Sequence, residues 1–178
     1  MSTDTRIPYA RAKEIADAIV KQLEPHCDQI AIAGSVRRKK QTVGDIEIVA
    51  IPKPYDVGLF ASGIATVVER WPKVKGELPC KYTQRLLPYN QVKLDLFFAT
   101  PDNWGLIYAI RTGSASFSHH VLAKGWVKAG YKSHEGMLYM GTIPKPVRTE
   151  EELFAMCGLA FIQPEDRETV QANGSEAT

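Results

Sequence analysis

Gly44-Asp45-Ile46-Glu47-Ile48-Val49-Ala50-Ile51 is the segment on which the reading turns. From Asp45 the residues alternate and are rich in β-branched side chains, which predicts a strand. Pro52 and Pro54 close it, because proline cannot donate to a ladder. Successive strand side chains point to opposite faces, so Asp45 and Glu47 share one face while Ile46 and Ile48 point into a core. Two neighbouring carboxylates repel unless a cation or proton sits between them. Hard oxygen ligands without cysteine or histidine suit Mg²⁺ or Mn²⁺. An acid-x-acid strand alone also fits an exposed edge.

A second strand repeats the pattern. In Lys93-Leu94-Asp95-Leu96-Phe97-Phe98, Asp95 stands in strongly apolar company. A carboxylate there is costly unless it is paired or bound to metal. If the two strands lie side by side, three carboxylates converge into the smallest ligand set for a two-metal site. A buried Arg or Lys partner for Asp95 is the competing reading, at roughly even odds.

Upstream stands Gly34-Ser35-Val36-Arg37-Arg38. Glycine permits close backbone approach to a phosphate, serine adds a hydroxyl donor and arginine a planar fork. The segment lacks the spacing and Gly-Lys-Ser/Thr ending of a Walker loop.

Outward from these segments the pattern is mixed. Residues 8–24 predict a helix, with Ile15, Ala16, Ile19, Val20 and Leu23 at helical spacing and Pro25 as the stop. Residues 29–33 predict a strand, and 57–71 a helix weakened by Gly58 and Gly63. Residues 73–75, 82–87 and 92–98 predict strands, the last two joined by a turn at Pro88-Tyr89-Asn90. Residues 103–111 predict a helix capped by Asp102, broken by Thr112-Gly113-Ser114; a further helix is expected over 116–129. Tyr131-Lys132 and 137–140 flank a hairpin turn at Glu135-Gly136, and Thr149 with Glu152 forms a capping box for a short helix ending near Gly158.

Lys and Arg number 22 and Asp and Glu 20, but they are unevenly placed. Residues 1–148 carry 21 basic and 13 acidic side chains; residues 149–178 carry one Arg and seven acids. Arg37-Arg38-Lys39-Lys40 and the scatter Lys73, Lys75, Lys81 and Arg85 favour a polyanion, with a solvated surface as the equal alternative. No apolar run is long enough to span a bilayer, so no membrane partner is expected. The first six residues hold no apolar signal region, and Cys27, Cys80 and Cys157 form neither a zinc pattern nor a disulfide framework. Both points imply a reducing, cytoplasmic setting. His119 and His120 are expected to point apart on a helix, and Trp71, Trp104 and Trp126 to pack in cores.

Taken in order, Gly34-Ser35, Arg37-Arg38, Gly44-Asp45-Ile46-Glu47 and Asp95 resemble the nucleotidyltransferase signature of the DNA polymerase beta superfamily. The double arginine and Thr112-Gly113-Ser114-Ala115-Ser116-Phe117 narrow the resemblance to family X DNA polymerases. Glu151-Glu152-Leu153-Phe154, Gly158-Leu159 and Pro164-Glu165-Asp166-Arg167 resemble the end of that family's thumb, so the likeness covers residues 28–168.

The resemblance implies an α+β nucleotidyltransferase palm with a mixed sheet over residues 1–100. A small α/β thumb would follow over 101–171, and the small, polar residues 172–178 are expected to be a disordered tail. It implies that Asp45 and Glu47 bind two Mg²⁺ ions, with Mn²⁺ as a substitute, and that Asp95 binds the ion near the primer 3′-hydroxyl. Gly34, Ser35, Arg38 and the backbone at Gly44 would hold the triphosphate. Gly113 would contact the sugar, and Ser118 stands where the family usually has an asparagine touching the base. Lys93 and Arg111 would meet DNA.

The departures are Glu47 where many members have Asp, Ile110-Arg111 in place of an aromatic pair, and Leu122 where many members have a template-reading arginine. The implied enzyme is a monomeric, reduced palm-plus-thumb polymerase, as in the family's smallest viral members, acting on gapped or primer-template DNA with nucleoside triphosphates in a bacterial or virus-infected cell. Two rivals stay open: a template-independent transferase acting on RNA, a small molecule or a protein, and a non-catalytic nucleic-acid-binding module.

Overall fold

The computed structural model describes residues 6–54, 63–78, 81–88 and 92–168. The first elements are β1 (Ile7–Pro8), α1 (Tyr9–Leu23), β2 (Cys27–Ile32), the short α2 (Gly34–Arg37), β3 (Thr42–Val43) and β4 (Asp45–Pro52). After them come α3 (Ile64–Val68), β5 (Lys73–Gly76), β6 (Tyr82–Leu86) and β7 (Lys93–Phe98). Five of these strands form one mixed sheet in the order β2-β4-β7-β6-β5. The β4–β7 pair is parallel and its neighbours are antiparallel.

The alternation seen in the sequence sorts the two faces of this sheet. On one face Ile46, Ile48, Leu94 and Leu96, all fully buried, pack against Ala12, Ile15, Ala16, Ile19 and Leu23 of α1 and against Ile64, Val68 and Trp71. Truncating a residue such as Ile19 to alanine would cost roughly 2–5 kcal/mol. Arg85, expected in a basic surface, is buried on this face instead. Its Nε donates to Thr83 Oγ1 at 3.0 Å and its Nη1 to the Trp71 carbonyl at 3.3 Å. The strand alternation puts it there, because Arg85 lies opposite Leu94.

The other face is only partly covered. Val49, Ile51, Phe97 and Ala99 pack under Trp104 of α4 (Trp104–Thr112), with Ile107 and Tyr108 beside them. The helix therefore closes one end of the face and leaves the end that begins at Asp45. Asp102 does not cap α4. Asn103 holds the cap position without a side-chain cap bond, and Asp102 pairs with Arg148 at 3.0 Å.

Beyond α4 the chain forms α5 (Ala115–Phe117), a π-helical stretch at Ser118–Ala123, α6 (Lys124–Lys128), β8 (Lys132–His134), β9 (Met137–Met140), β10 (Ile143–Lys145) and α7 (Glu150–Met156). The helix expected over 116–129 is thus interrupted by wider turns, and the expected hairpin gains a third strand, β10, against β9. Leu106, Phe117, Leu122, Trp126, Leu138, Leu153 and Phe154 make the core here. Thr149 and Glu152 form the expected capping box. A Cβ at Gly105 would collide with the Thr149 backbone, so α4 and the start of α7 meet there only because that residue is glycine.

All three tryptophans are buried, as expected. The rings of His119 and His120 do not point apart. They meet edge to face with centroids 4.8 Å apart, in the π-helical stretch where residues no longer fan out at 100° intervals. The expected helix over 57–71 is seen only as α3 within the described residues. Residues 55–62, Tyr89, Asn90, Cys80 and the 172–178 tail lie outside them.

Candidate functional site

Register brings the acids together. In the parallel β4–β7 pair Asp45 lies opposite Lys93 and Glu47 opposite Asp95, and in the antiparallel β6–β7 pair Gln84 lies opposite Asp95. Gln84, Asp95 and Glu47 therefore cross three strands as one row on the face that α4 leaves open, with Asp45 one step along β4. Opposed residues share a face, so this juxtaposition follows from backbone pairing.

The electrostatics of the row are those of crowded acids. Burial, then the charges of Asp45 and Asp95, push the Glu47 carboxyl from its usual 4.5 up to about 7; Arg38 and Arg111 oppose the shift. Asp95, 8% exposed, meets part of its demand locally: the Tyr82 hydroxyl donates to Oδ1 at 2.5 Å and Gln84 Nε2 to the same oxygen at 2.8 Å. Burial, then the Asp95 carboxylate, raise the Tyr82 phenol well above its ordinary range, so it remains the donor. Neither Tyr82 nor Gln84 stood out in the sequence; the only signal was their alternation on a strand whose partner register was unknown. Among the described residues no three His, Cys, Asp or Glu side chains are gathered around a point where they could hold a metal ion. The donor set nevertheless fits a hard divalent cation. It consists of carboxylate oxygens, and one of its members, Glu47, resists ionisation because of its burial and the two neighbouring acids, a cost that a bound cation would offset.

Gly34 explains how Glu47 fits. It has φ of +58°, and a Cβ there would fall on the Glu47 carboxylate. A larger residue would suffer both backbone strain and this collision. Beside it opens a cleft of about 380 Å³ lined by Ser35, Arg38, Lys40, Gly44, Asp45, Glu47, Lys93 and Glu168 among others. Four of the residues expected around a triphosphate or primer, Ser35, Arg38, Gly44 and Lys93, thus meet Asp45 and Glu47 here. The Ser35 hydroxyl is buried and has no hydrogen-bond partner among the described residues.

The double arginine divides its labour. Arg37 turns away and builds an internal network: its Nη1 donates to Thr112 Oγ1 at 2.6 Å and to Glu150 Oε1 at 2.9 Å, and its Nη2 to Glu150 Oε2 at 2.6 Å. Its guanidinium lies 3.8 Å from the centroid of the Tyr108 ring. Arg167, 0% exposed, donates to Glu150 Oε1 at 2.5 Å and to the Ile162 carbonyl at 2.8 Å. Arg38 instead lines the cleft, with its Nη1 on the Thr112 carbonyl at 2.7 Å.

The remaining expected residues stand elsewhere. Arg111 stacks on Phe97, 4.0 Å from the ring centroid, and lines a second cleft of about 780 Å³ with Lys75, Lys81, Tyr82 and Phe97. It still feels the charges of Glu47 and Asp95. The Ser118 hydroxyl donates to the Ile110 carbonyl at 2.8 Å, and Gly113 packs against Phe117 and Ser118. Neither Gly113 nor Ser118 lines the carboxylate cleft.

Among the described residues no helix is long and apolar enough to cross a membrane. No protein-family model matches the chain, and no curated protein matches it in sequence.

Proposed function

We propose that this chain is a metal-dependent nucleotidyltransferase of the family X DNA polymerase type, with a palm built on the five-stranded sheet. It adds a deoxynucleotide to a DNA 3′-hydroxyl in short gap-filling synthesis. The observation that carries the proposal is the row in which Glu47 and Asp95 stand opposite one another on adjacent parallel strands, with Asp45 beside them and Glu47 held up to about 7 by burial and by those two charges.

In the proposed reaction the 3′-oxygen forms a bond to the α-phosphorus, and the bond from that phosphorus to the pyrophosphate oxygen breaks. Asp45, Glu47 and Asp95 would hold the divalent cations, Mg²⁺ by their oxygen donors, which would neutralise the phosphates and ease loss of the 3′-hydroxyl proton to water. Ser35 and Arg38 supply donors for the triphosphate from the cleft next to the acids. Lys93 stands opposite Asp45 at the same mouth and would meet a primer phosphate. Tyr82 and Gln84 hold Asp95 in one orientation, which keeps the acids aligned for transfer.

Primer extension on gapped, recessed and single-stranded DNA tests the reading. Incorporation that requires a divalent cation and is fastest on the gapped substrate supports it. Transfer onto single strands at the same rate, or no incorporation on any DNA, refutes it.

A further inference from the structure

The cleft beside Asp45 and Glu47 already contains an anion supplied by the chain itself. Arg38 Nε donates to Glu168 Oε1 at 2.6 Å, and Lys40 Nζ lies 3.2 Å from Glu168 Oε2. One carboxylate thus offers an oxygen to each of two cations, as a phosphate group would. Burial pushes the Glu168 carboxyl up, but the hydrogen bonds and charges of Arg38 and Lys40 outweigh it and hold the group below its usual range, so it is ionised at neutral pH.

The mount is firm. The Ser114 hydroxyl donates to the Glu168 carbonyl, and the Ser114 amide donates to the Arg167 carbonyl at 2.9 Å. The buried Arg167 side chain is fixed on Glu150. The Glu168 side chain itself is one-third exposed, so it can swing out while its backbone stays in place. Ser35, in contrast, has no hydrogen-bond partner for its buried hydroxyl among the described residues and lines the same cleft. The carboxylate satisfies the cations of the cradle and leaves its hydroxyl for a larger anion.

We propose that Glu168 is a tethered decoy that occupies the Arg38–Lys40 cradle in place of a phosphate, so that an oligophosphate binds only by displacing it. This rests on reading the cleft as a triphosphate site. A tethered group competes at a high effective concentration, and the apparent affinity for any free anion falls by the fraction of molecules in which the cradle is empty. The device filters by charge. A triphosphate or pyrophosphate brings several charges to Arg38 and Lys40 and a further acceptor for Ser35, whereas a singly charged anion gains nothing over the carboxylate it displaces.

The probe is inorganic pyrophosphate, titrated calorimetrically into the full chain. Glu168→Gln is expected to bind it about ten-fold more tightly than the original chain, and Glu168→Asp, which keeps the charge but shortens the reach, by an intermediate factor. Glu165→Gln removes the same charge from the neighbouring pair with Lys39, 2.6 Å long, and is expected to change affinity less than about three-fold. Adding Arg38→Ala to Glu168→Gln is expected to abolish the gain.

Equal affinity of Glu168→Gln and the original chain, or an equal gain in Glu165→Gln, overturns the decoy while Arg38-dependent binding keeps the cleft. Absence of pyrophosphate binding in the original chain and in both Glu168 variants overturns the cleft and the decoy together. Circular dichroism of each variant separates loss of fold from loss of binding, and Glu168→Asp provides the reading if Glu168→Gln does not fold.

Discussion

Glu47→Gln should remove a specific pH dependence of stability. The Glu47 carboxyl sits at about 7 in the folded chain against a usual 4.5. A carboxyl raised on folding favours the folded state when protonated. Its contribution is therefore fully present below pH 4.5 and is lost as pH rises through 7. Linkage over these two values makes the metal-free chain roughly 2–3 kcal/mol less stable at pH 8 than at pH 5 through this one group. Glutamine keeps the shape and cannot ionise, so the variant should lack that component whatever its absolute stability. Urea unfolding at pH 5 and pH 8 measures it, as the difference between the two proteins in their pH-dependent change. Added Mg²⁺ should restore stability at pH 8 in the original chain and much less in the variant, since a cation among the carboxylates removes the cost of ionising them. Parallel pH dependence in the two proteins would refute the reasoning: Glu47 would then not carry the crowded charge.

The other expectations concern the groups around the acids. Glu150→Ala leaves the cations of Arg37 and Arg167 without their carboxylate partner inside the structure and should destabilise it by roughly 3–5 kcal/mol, read by thermal or urea unfolding; a loss below about 1 kcal/mol would mean the network contributes little. Tyr82→Phe removes one donor to Asp95 and should lower kcat roughly ten-fold with the KM for nucleotide nearly unchanged, whereas a purely structural role would move both. If the proposed polymerase activity holds, Ile110, packed against the second core, and Arg111, committed to Phe97, provide no flat aromatic wall against a 2′-hydroxyl, so discrimination against ribonucleotides should stay below about a thousand-fold, or about 4 kcal/mol; single-nucleotide kinetics with matched dNTP and rNTP measure it.

What the sequence disclosed was whatever depends on short-range pattern. The alternation in β4 and β7 placed Asp45, Glu47 and Asp95 on the right faces, and the periodicity of α1 and the Thr149 capping box marked two helices. What it concealed depends on long-range pairing. Nothing near residue 37 says that Arg37 will meet Glu150, or that Arg38 will meet Glu168, because those partners are more than a hundred residues away. Two arginines side by side look equivalent in sequence; a short helical turn sends one inward and the other into the cleft. Arg85 looked like surface charge until the register of β6 put it opposite Leu94. Tyr82 and Gln84 became recognisable as partners of Asp95 only through that same register. The crowding of Glu47 against Gly34 needed the left-handed backbone at Gly34, which a Gly-Ser pair alone does not announce.

The proposed function requires Asp45, Glu47 and Asp95 to act as one divalent-metal site for nucleotide transfer. It is tested most directly by rapid-quench incorporation of a single dNMP into one-nucleotide-gapped DNA, with and without Mg²⁺, for the original chain and for Asp95→Asn, each confirmed folded. The predicted result is Mg²⁺-dependent extension with stoichiometric pyrophosphate release by the original chain and loss of nearly all of it in the variant. Extension at the same rate by Asp95→Asn, or extension in the original chain that persists when divalent cations are chelated, would contradict the claim.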